Sequence, residues 1–277
     1  MLYTPELGDQ ITKRLAEFKL SSAAEQTTKR FLDAGHDQAL VILAEVLEVE
    51  WQARRERRVD RLRRASRLPP AKTFDTLDPA RVPRNVLIQA RDLARGGFVE
   101  RGDNILLFGR PGVGKSHAAC AIGHALVGAG ISVLFVPTYQ LVQQLLAARR
   151  DLSLPRALRA LDSYDVMILD DLGYVQQNVD EAEVLFTLMA ERYERRSLII
   201  TSNLVFSEWD RIFKNPMTTA AAIDRLVHHA TILEIDRGSI RAEEAKKRKD
   251  PKSTTTTSPT TITSPHDDNY PTEIHPA

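Results

Sequence analysis

Eight residues near the middle of the chain, Gly109-Arg110-Pro111-Gly112-Val113-Gly114-Lys115-Ser116, fill every fixed position of the phosphate-binding P-loop pattern. An apolar run, Asn104–Phe108, leads into them and a helical pattern follows, which is the strand–loop–helix context the motif requires. Gly109, Gly112 and Gly114 allow the backbone to curl until successive N–H groups face phosphate oxygens, and the helix N-terminus adds positive potential. Lys115 offers a mobile positive charge to the β- and γ-phosphates of ATP, and the Ser116 hydroxyl offers a ligand to Mg²⁺. Pro111, Val113 and His117 complete the segment expected to wrap the nucleotide. A glycine-rich turn can match the spelling by chance, but the flanking strand and helix argue against that here.

A second acidic site follows. Val166-Met167-Ile168-Leu169-Asp170-Asp171 reads as a buried strand ending in two carboxylates, the Walker B form. Asp170 is expected to hold Mg²⁺ through its water shell, because Mg²⁺ dehydrates reluctantly. Asp171 is expected to polarise the attacking water. A strand closing in a polar turn is the plainer alternative; the interval from the P-loop, which suits one βα unit, favours the metal site. The next apolar run, Leu198–Thr201, ends in Ser202-Asn203, and Asn203 is read as the residue that orients the water or touches the γ-phosphate. Arg225, in Ala222-Ile223-Asp224-Arg225-Leu226, has two readings. It either stabilises the transferring phosphoryl group of a neighbouring subunit or pairs with Asp224 or Glu234 on a helix surface. The residues alone leave both open.

These side chains must be held by strands and helices. Short β-rich runs at Asn104–Phe108, Ser132–Val136, Asp165–Leu169, Ser197–Thr201 and Thr231–Glu234 alternate with helical stretches, the rhythm of parallel α/β units. Residues 1–70 read as helical. Ile11, Leu15, Phe18 and Leu20 recur at roughly helical spacing, and Leu40, Leu43, Leu47 and Trp51 form a second stripe. That second helix is expected to start near Asp37 as N-cap and to stop before Pro69-Pro70. The organisation expected is a helical domain over 1–70, a nucleotide domain over 71–241 and a tail over 242–277. Within the tail, 12 of the 13 residues from Ser253 to Pro265 are Thr, Ser or Pro, which cannot bury apolar surface, so disorder is expected.

Composition narrows the class. The 277 residues are 43% hydrophobic and 27% charged, which excludes wholesale disorder and fits a globular chain with a real core. The single cysteine, Cys120, allows no intrachain disulfide and no metal cluster, and is read as core filling. The opening MLYTPELGDQ has no signal-peptide run and no stretch is apolar enough to span a bilayer, so a cytoplasmic protein without a membrane partner is expected. Lys and Arg total 38 against 37 Asp and Glu, a balance that argues for no nucleic-acid partner until the chain is divided. Arg54 to Arg67 alone holds eight arginines and two acids.

With arginines on all sides, that stretch is expected to protrude or to meet a polyanion. Arg54, Arg55, Arg57, Arg58, Arg61, Arg63 and Arg64 are the candidate contacts to duplex DNA, through phosphates and largely blind to sequence. The block contains no aromatic residue on which bases could stack. The alternative is a solvated helix laced by Glu56 and Asp60, though two acids cannot pair eight arginines.

Assembled, the chain resembles the IstB/DnaC branch of AAA+ ATPases, most nearly the IstB-like helpers of transposition. The resemblance rests on Glu50-x3-Arg54, Arg64-Ala65, Lys72-Thr73-Phe74, Gly114-Lys115-Ser116-His117-Ala118 and Leu169-Asp170-Asp171-Leu172-Gly173-Tyr174. It continues through Phe186 to Arg192-Tyr193, Thr201-Ser202-Asn203, Glu208-Trp209, Asp224-Arg225-Leu226 and Gly238-Ser239-Ile240-Arg241. It implies a P-loop AAA+ core with a five-stranded parallel sheet of order 5-1-4-3-2, behind a small all-α N-terminal domain. It casts Asn203 as sensor and Arg225 as the arginine finger of a homo-oligomer with ATP at subunit interfaces. It also implies duplex DNA and a transposase as partners, or a replicative helicase in a loader of the DnaC type. Ile240 stands where the family usually has Tyr, which weakens a sensor role for Arg241.

Overall fold

The computed structural model describes residues 4–79, 82–173, 178–213 and 216–235. The expected disordered tail, Gly238–Arg241 and Tyr174 lie outside them. In chain order the elements are α1 (Pro5–Glu17), α2 (Ser21–Asp33), α3 (Asp37–Ala65), α4 (Arg84–Leu93), α5 (Gly97–Glu100), β1 (Asn104–Gly109), α6 (Lys115–Gly128), β2 (Val133–Pro137), α7 (Thr138–Arg150) and α8 (Leu154–Asp162). They continue with β3 (Val166–Leu172), α9 (Val179–Arg192), β4 (Ser197–Ser202), a 3₁₀ turn at Phe206–Glu208, α10 (Asp210–Phe213), α11 (Pro216–Val227) and β5 (Ala230–Ile235).

The five strands form one parallel sheet of order β2-β3-β4-β1-β5, which is the expected order read from the other edge. The three central strands are apolar through their middles, Ile105–Phe108, Val166–Leu169 and Leu198–Ile200, because helices cover both faces. Alternation along the strands sorts the side chains. Leu106, Phe108, Met167, Leu169, Leu198 and Ile200 meet α7, α9, α10 and α11 on one face. Ile105, Leu107, Ile168, Ile199, Leu233 and Ile235 meet α4 and α6 on the other. Parallel strands end at one common edge, so the carboxyl ends of β1, β3 and β4 lie side by side there.

The N-terminal region differs from expectation in three ways. It has three helices rather than two: α2 went unread because Ala24 is its only buried residue and its remaining positions are mostly polar. The N-cap of α3 is His36, whose side chain makes no capping bond, and Asp37 is the first helical residue. Third, the arginine-rich half of α3 does not protrude. Val59 and Leu62 pack into the α4–α6 side of the core. Arg58 donates to the Gly130 carbonyl at 3.2 Å, and the Phe135 amide at the β2 edge donates to the Ser66 carbonyl at 2.8 Å. One apolar stripe is enough to lay a helix on a core even when every other position is charged.

From Ser66 the chain runs along α6 as a strap. His124 donates from Nε2 to the Pro69 carbonyl at 3.0 Å, and His117 donates from Nε2 to the Thr73 carbonyl at 2.9 Å. No helix among the described residues is long and apolar enough to cross a membrane.

Candidate nucleotide site

β1 delivers the chain to the P-loop at Gly109, whose φ of 149° belongs to glycine. A Cβ there would lie 2.4 Å from the Ile235 carbonyl oxygen on β5, so the loop leaves the sheet in close contact with its neighbouring strand. Val113 is buried in the core and anchors the loop from below. Gly112 and Gly114 also have positive φ, 81° and 104°, and Gly114 is the N-cap of α6. An N-cap without a side chain leaves the amides of Lys115, Ser116 and His117, the first turn of α6, uncovered by any capping oxygen. Such a ring of N–H groups on a 14-residue helix is an anion cradle. Lys115 is buried, and its Nζ donates to the carbonyls of Gly109 at 2.8 Å and Arg110 at 3.0 Å, so the charge is folded back over the loop.

Asp170 ends the regular part of β3 and is buried. Its carboxylate accepts a hydrogen bond from Thr201 Oγ1 at 2.7 Å, and its main-chain carbonyl accepts one from Thr138 Oγ1 at 2.9 Å. Thr201 Oγ1 in turn accepts from the Asp171 amide at 2.9 Å. The register explains this arrangement. Leu169 pairs with Ile200 and Leu172 with Ser202, so Asp170 and Asp171 together oppose Thr201 alone. That is a β-bulge, and Asp171 takes up the extra residue with a φ of 58°. Without it the two carboxylates would alternate to opposite faces of the sheet. The bulge removes Asp171 from that alternation and leaves it exposed. A buried carboxylate and the half-buried Ser116 hydroxyl are hard oxygen donors, a set that suits Mg²⁺.

Asn203 follows β4, the strand between β1 and β3, and is half-buried. Ser202 fixes it in place: its Oγ donates to the Leu172 carbonyl at 2.9 Å and accepts from the Leu204 amide at 3.1 Å. Trp209 Nε1 donates to the Leu204 carbonyl at 3.2 Å, and the Trp209 ring packs with Phe108 and Phe206. The three residues of the Thr-Ser-Asn run thus separate by task. Thr201 orders the acidic pair, Ser202 anchors the turn, and Asn203 is presented at its tip.

Arg225 lies on α11 and forms neither of the ion pairs open to it in sequence. Its guanidinium sits 4.8 Å over the Phe186 ring of α9, and its Nη1 is buried without a hydrogen-bond partner. The seven arginines of α3 are all exposed. Glu50, outside the block, pairs with Arg54 at 2.6 Å and Arg57 at 3.4 Å, and Asp60 pairs with Arg63 at 2.7 Å. The Arg54 hydrogen bond holds the Glu50 carboxyl below the usual carboxylate range. Among the described residues Arg55, Arg58, Arg61 and Arg64 form no ion pair. These arginines stand apart from the nucleotide loop in the chain, joined to it through the strap and α6.

Several working residues were not legible as such. Thr138 and Thr201 carry the second tier of the acidic site, and their only trace was a hydroxyl at the carboxyl end of an apolar run. His117 was expected in the nucleotide segment, where its amide joins the cradle, but its ring gave no sign that it ties the strap to the same helical turn. Arg192 is buried at the opposite end of the sheet and donates to the carbonyls of Leu161, Tyr164, Asp165 and Ser197 at 3.0 to 3.3 Å. Burial lowers its pKa to about 10. Cys120 is buried, with its thiol pushed up to about 12 by burial.

A parallel 2-3-4-1-5 sheet, a glycine-framed phosphate loop at β1 and paired aspartates at β3 define a P-loop ATPase of the AAA+ class. Solved structures agree on the fold: a DnaI crystal structure superposes with a TM-score of 0.52 at 20% identity, over 62% of this chain and 96% of that one. AMPPCP-bound DnaA from Aquifex aeolicus gives 0.53 at 15% identity, over 68% and 57%. The chain belongs to the IstB-like ATP-binding protein family, whose model matches residues 11–248. An insertion-sequence ATP-binding protein of Sinorhizobium fredii is 47% identical over 75% of this chain and 70% of its own. The ATP-binding protein of insertion sequence IS21 in Pseudomonas aeruginosa is 38% identical over 83% and 85%.

Proposed function

We propose that this protein is the ATP-dependent helper of a DNA transposase, working in the cytoplasm as a homo-oligomer on duplex DNA. The observation that carries this reading is the extent of the family match: it spans the arginine-rich helix as well as the ATPase core, and the relatives belong to insertion sequences. The DnaC-type loader reading has only a shared fold behind it.

The amides of Gly112 to His117 hold the phosphates, and Lys115 swings from the Gly109 and Arg110 carbonyls to the β- and γ-oxygens. Ser116 and Asp170 would hold Mg²⁺, which would supply positive charge to the phosphates. Asp171, set apart by the bulge, polarises the attacking water, and Asn203 orients it. Arg225 reaches the γ-phosphate of the adjacent subunit. ATP thereby stabilises an oligomer, Arg54, Arg55, Arg57, Arg58, Arg61, Arg63 and Arg64 hold its DNA, and the assembly recruits the transposase until hydrolysis releases it. The division into a DNA-contacting helical part over 1–70, an ATPase over 71–241 and a tail from 242 belongs to the same reading.

The test is an ATPase assay with and without duplex DNA, run beside ATP-dependent sedimentation. Wild type should hydrolyse ATP and assemble with it, and Lys115→Ala should do neither. Normal ATP-driven assembly by Lys115→Ala, or assembly that ignores DNA, would refute the mechanism.

A further inference from the structure

At the end of the sheet away from the nucleotide loop, two turns bring three metal-ligating side chains together. Glu194 lies in the turn between α9 and β4, and His228 and His229 form the turn between α11 and β5. One ring nitrogen from each histidine and one carboxylate oxygen all lie within 4.8 Å of one another, and the three residues are exposed. Adjacent residues of a strand would point to opposite faces. In this turn the two imidazoles stay together, with ring centroids 4.2 Å apart. His229 Nε2 and Glu194 Oε1 are 3.8 Å apart, too far for a hydrogen bond. The two cations after Glu194 are engaged elsewhere, Arg195 with Asp162 and Arg196 with Asp165. Beneath the cluster the buried Asn104 fixes the backbone. Its main-chain amide donates to the His229 carbonyl at 2.7 Å and its side-chain nitrogen to the Leu226 carbonyl at 3.2 Å. Its side-chain oxygen accepts from the Leu198 amide at 2.9 Å. Tyr193 holds the His228 ring: its hydroxyl lies 2.9 Å from Nδ1, and the two rings stack at 25°.

We propose that Glu194, His228 and His229 bind a divalent transition-metal ion of the zinc class, with a fourth position open to water. The donor set selects the ion. Two imidazoles and one carboxylate suit Zn²⁺, whereas Mg²⁺ takes oxygen ligands. Bonds of about 2.0–2.2 Å place tetrahedral ligands roughly 3.3 Å apart. From a spacing of at most 4.8 Å the ligand atoms therefore close by about 1.5 Å or less, which exposed side chains do by reorienting over a fixed backbone. A ligating imidazole is ordinarily held by a contact at its second nitrogen, and Tyr193 supplies such a contact to His228. The ion ties the end of α11 to the end of α9, the two helices that already meet where Arg225 covers Phe186. None of the three ligands belongs to the nucleotide site or to the arginine-rich helix, so the site stands independently of the function proposed above.

The test uses the full chain without nucleotide, which would itself chelate the ion. Equilibrium dialysis against Zn²⁺ should give one ion per chain with a dissociation constant on the order of micromolar or tighter, not displaced by excess Mg²⁺. His228→Ala/His229→Ala should weaken that binding by about 100-fold or more, and Glu194→Gln by about 10-fold or more. Tyr193→Phe should weaken it by about 10-fold while the stoichiometry stays at one. His266→Ala/His275→Ala, which removes the two histidines nearest the chain's end, should bind as wild type does. Zn²⁺ at about 100 times its dissociation constant should raise the melting temperature of wild type by about 5 °C or more and leave the His228→Ala/His229→Ala variant unmoved. ATP binding by that variant in zinc-free buffer should be unchanged, which separates this result from a failure of the ATPase reading. Both histidines are exposed and circular dichroism checks folding; if the pair proves necessary for it, Glu194→Gln decides the matter alone. Wild type that binds Zn²⁺ only in the millimolar range, an adventitious ion only, overturns the proposal. So does a variant lacking either the two histidines or the carboxylate that keeps the ion at wild-type affinity.

Discussion

Replacing Thr201 with Val tests whether the bulge at Asp170 and Asp171 is held as described. Valine keeps the shape and removes the hydroxyl, which serves two bonds at once. The bond donated to the buried Asp170 carboxylate is 2.7 Å long, and a hydrogen bond to a charged group contributes about 1.5–3 kcal/mol. The bond accepted from the Asp171 amide is 2.9 Å long, and leaving that donor without an acceptor costs about 1–3 kcal/mol if no water reaches it. The two losses share one atom and are not additive, so a net destabilisation of about 2–4 kcal/mol is expected, read as a lower urea midpoint at unchanged slope. The same change frees the acidic pair to shift, and a displacement of about 1 Å at a reacting centre costs on the order of 100-fold in rate. ATP turnover should therefore fall by roughly 10- to 100-fold while nucleotide affinity, set mainly by the P-loop, changes little. Thr201→Ser restores the hydroxyl and should recover most of both quantities. If Thr201→Val unfolds within about 0.5 kcal/mol of wild type and turns over ATP normally, the bulge is not held by this hydroxyl and the reasoning fails.

Three further changes probe other parts. Gly109→Ala places a methyl 2.4 Å from the Ile235 carbonyl at a φ of 149°, so it should lower the melting temperature and weaken ATP binding, measured by thermal unfolding with and without nucleotide. Arg192→Met removes the donors to four carbonyls at the far end of the sheet. It should cost about 3 kcal/mol or more in chemical denaturation, and a near-neutral result would show that water substitutes for the guanidinium. Arg61→Ala/Arg63→Ala/Arg64→Ala should weaken duplex binding alike for all sequences and flatten the salt dependence by up to about 2–3 units of slope, with basal ATPase unchanged. An unaltered slope would place the DNA elsewhere.

The strands and the P-loop were legible because each is a local pattern: five apolar runs, three glycines at fixed intervals, a lysine and a hydroxyl. The acidic pair was legible as two carboxylates, but the reason they serve separate roles was not. It depends on Leu169 and Leu172 choosing their partners on β4, a relation across strands that no run of residues displays. Likewise, Val59 and Leu62 were visible on one face of an arginine-rich helix. What they pack against comes from α4 and α6, far away in sequence, so docking could not be foreseen. Arg225 had two readings, a phosphate contact to a neighbouring subunit or an ion pair with Asp224 or Glu234, and its neighbour within the chain, Phe186, lies on another helix. Helix α2 was lost for a simpler reason: with Ala24 as its only buried residue, it carries no stripe to read.

The strap from Ser66 to Thr76 has a bearing on how the protein can be divided. A fragment begun at residue 71 would strip Val59, Leu62 and Leu68 from the core and remove the acceptors of the Phe135 amide and the His124 ring. The ATPase cut there should be less stable and prone to stick to itself, whereas a cut upstream of Val59 keeps the patch covered. For the same reason the arginine helix is a poor cassette. Grafting another DNA-binding helix onto this core would require its last three turns to reproduce the contacts made here, so the two parts are bound to vary together.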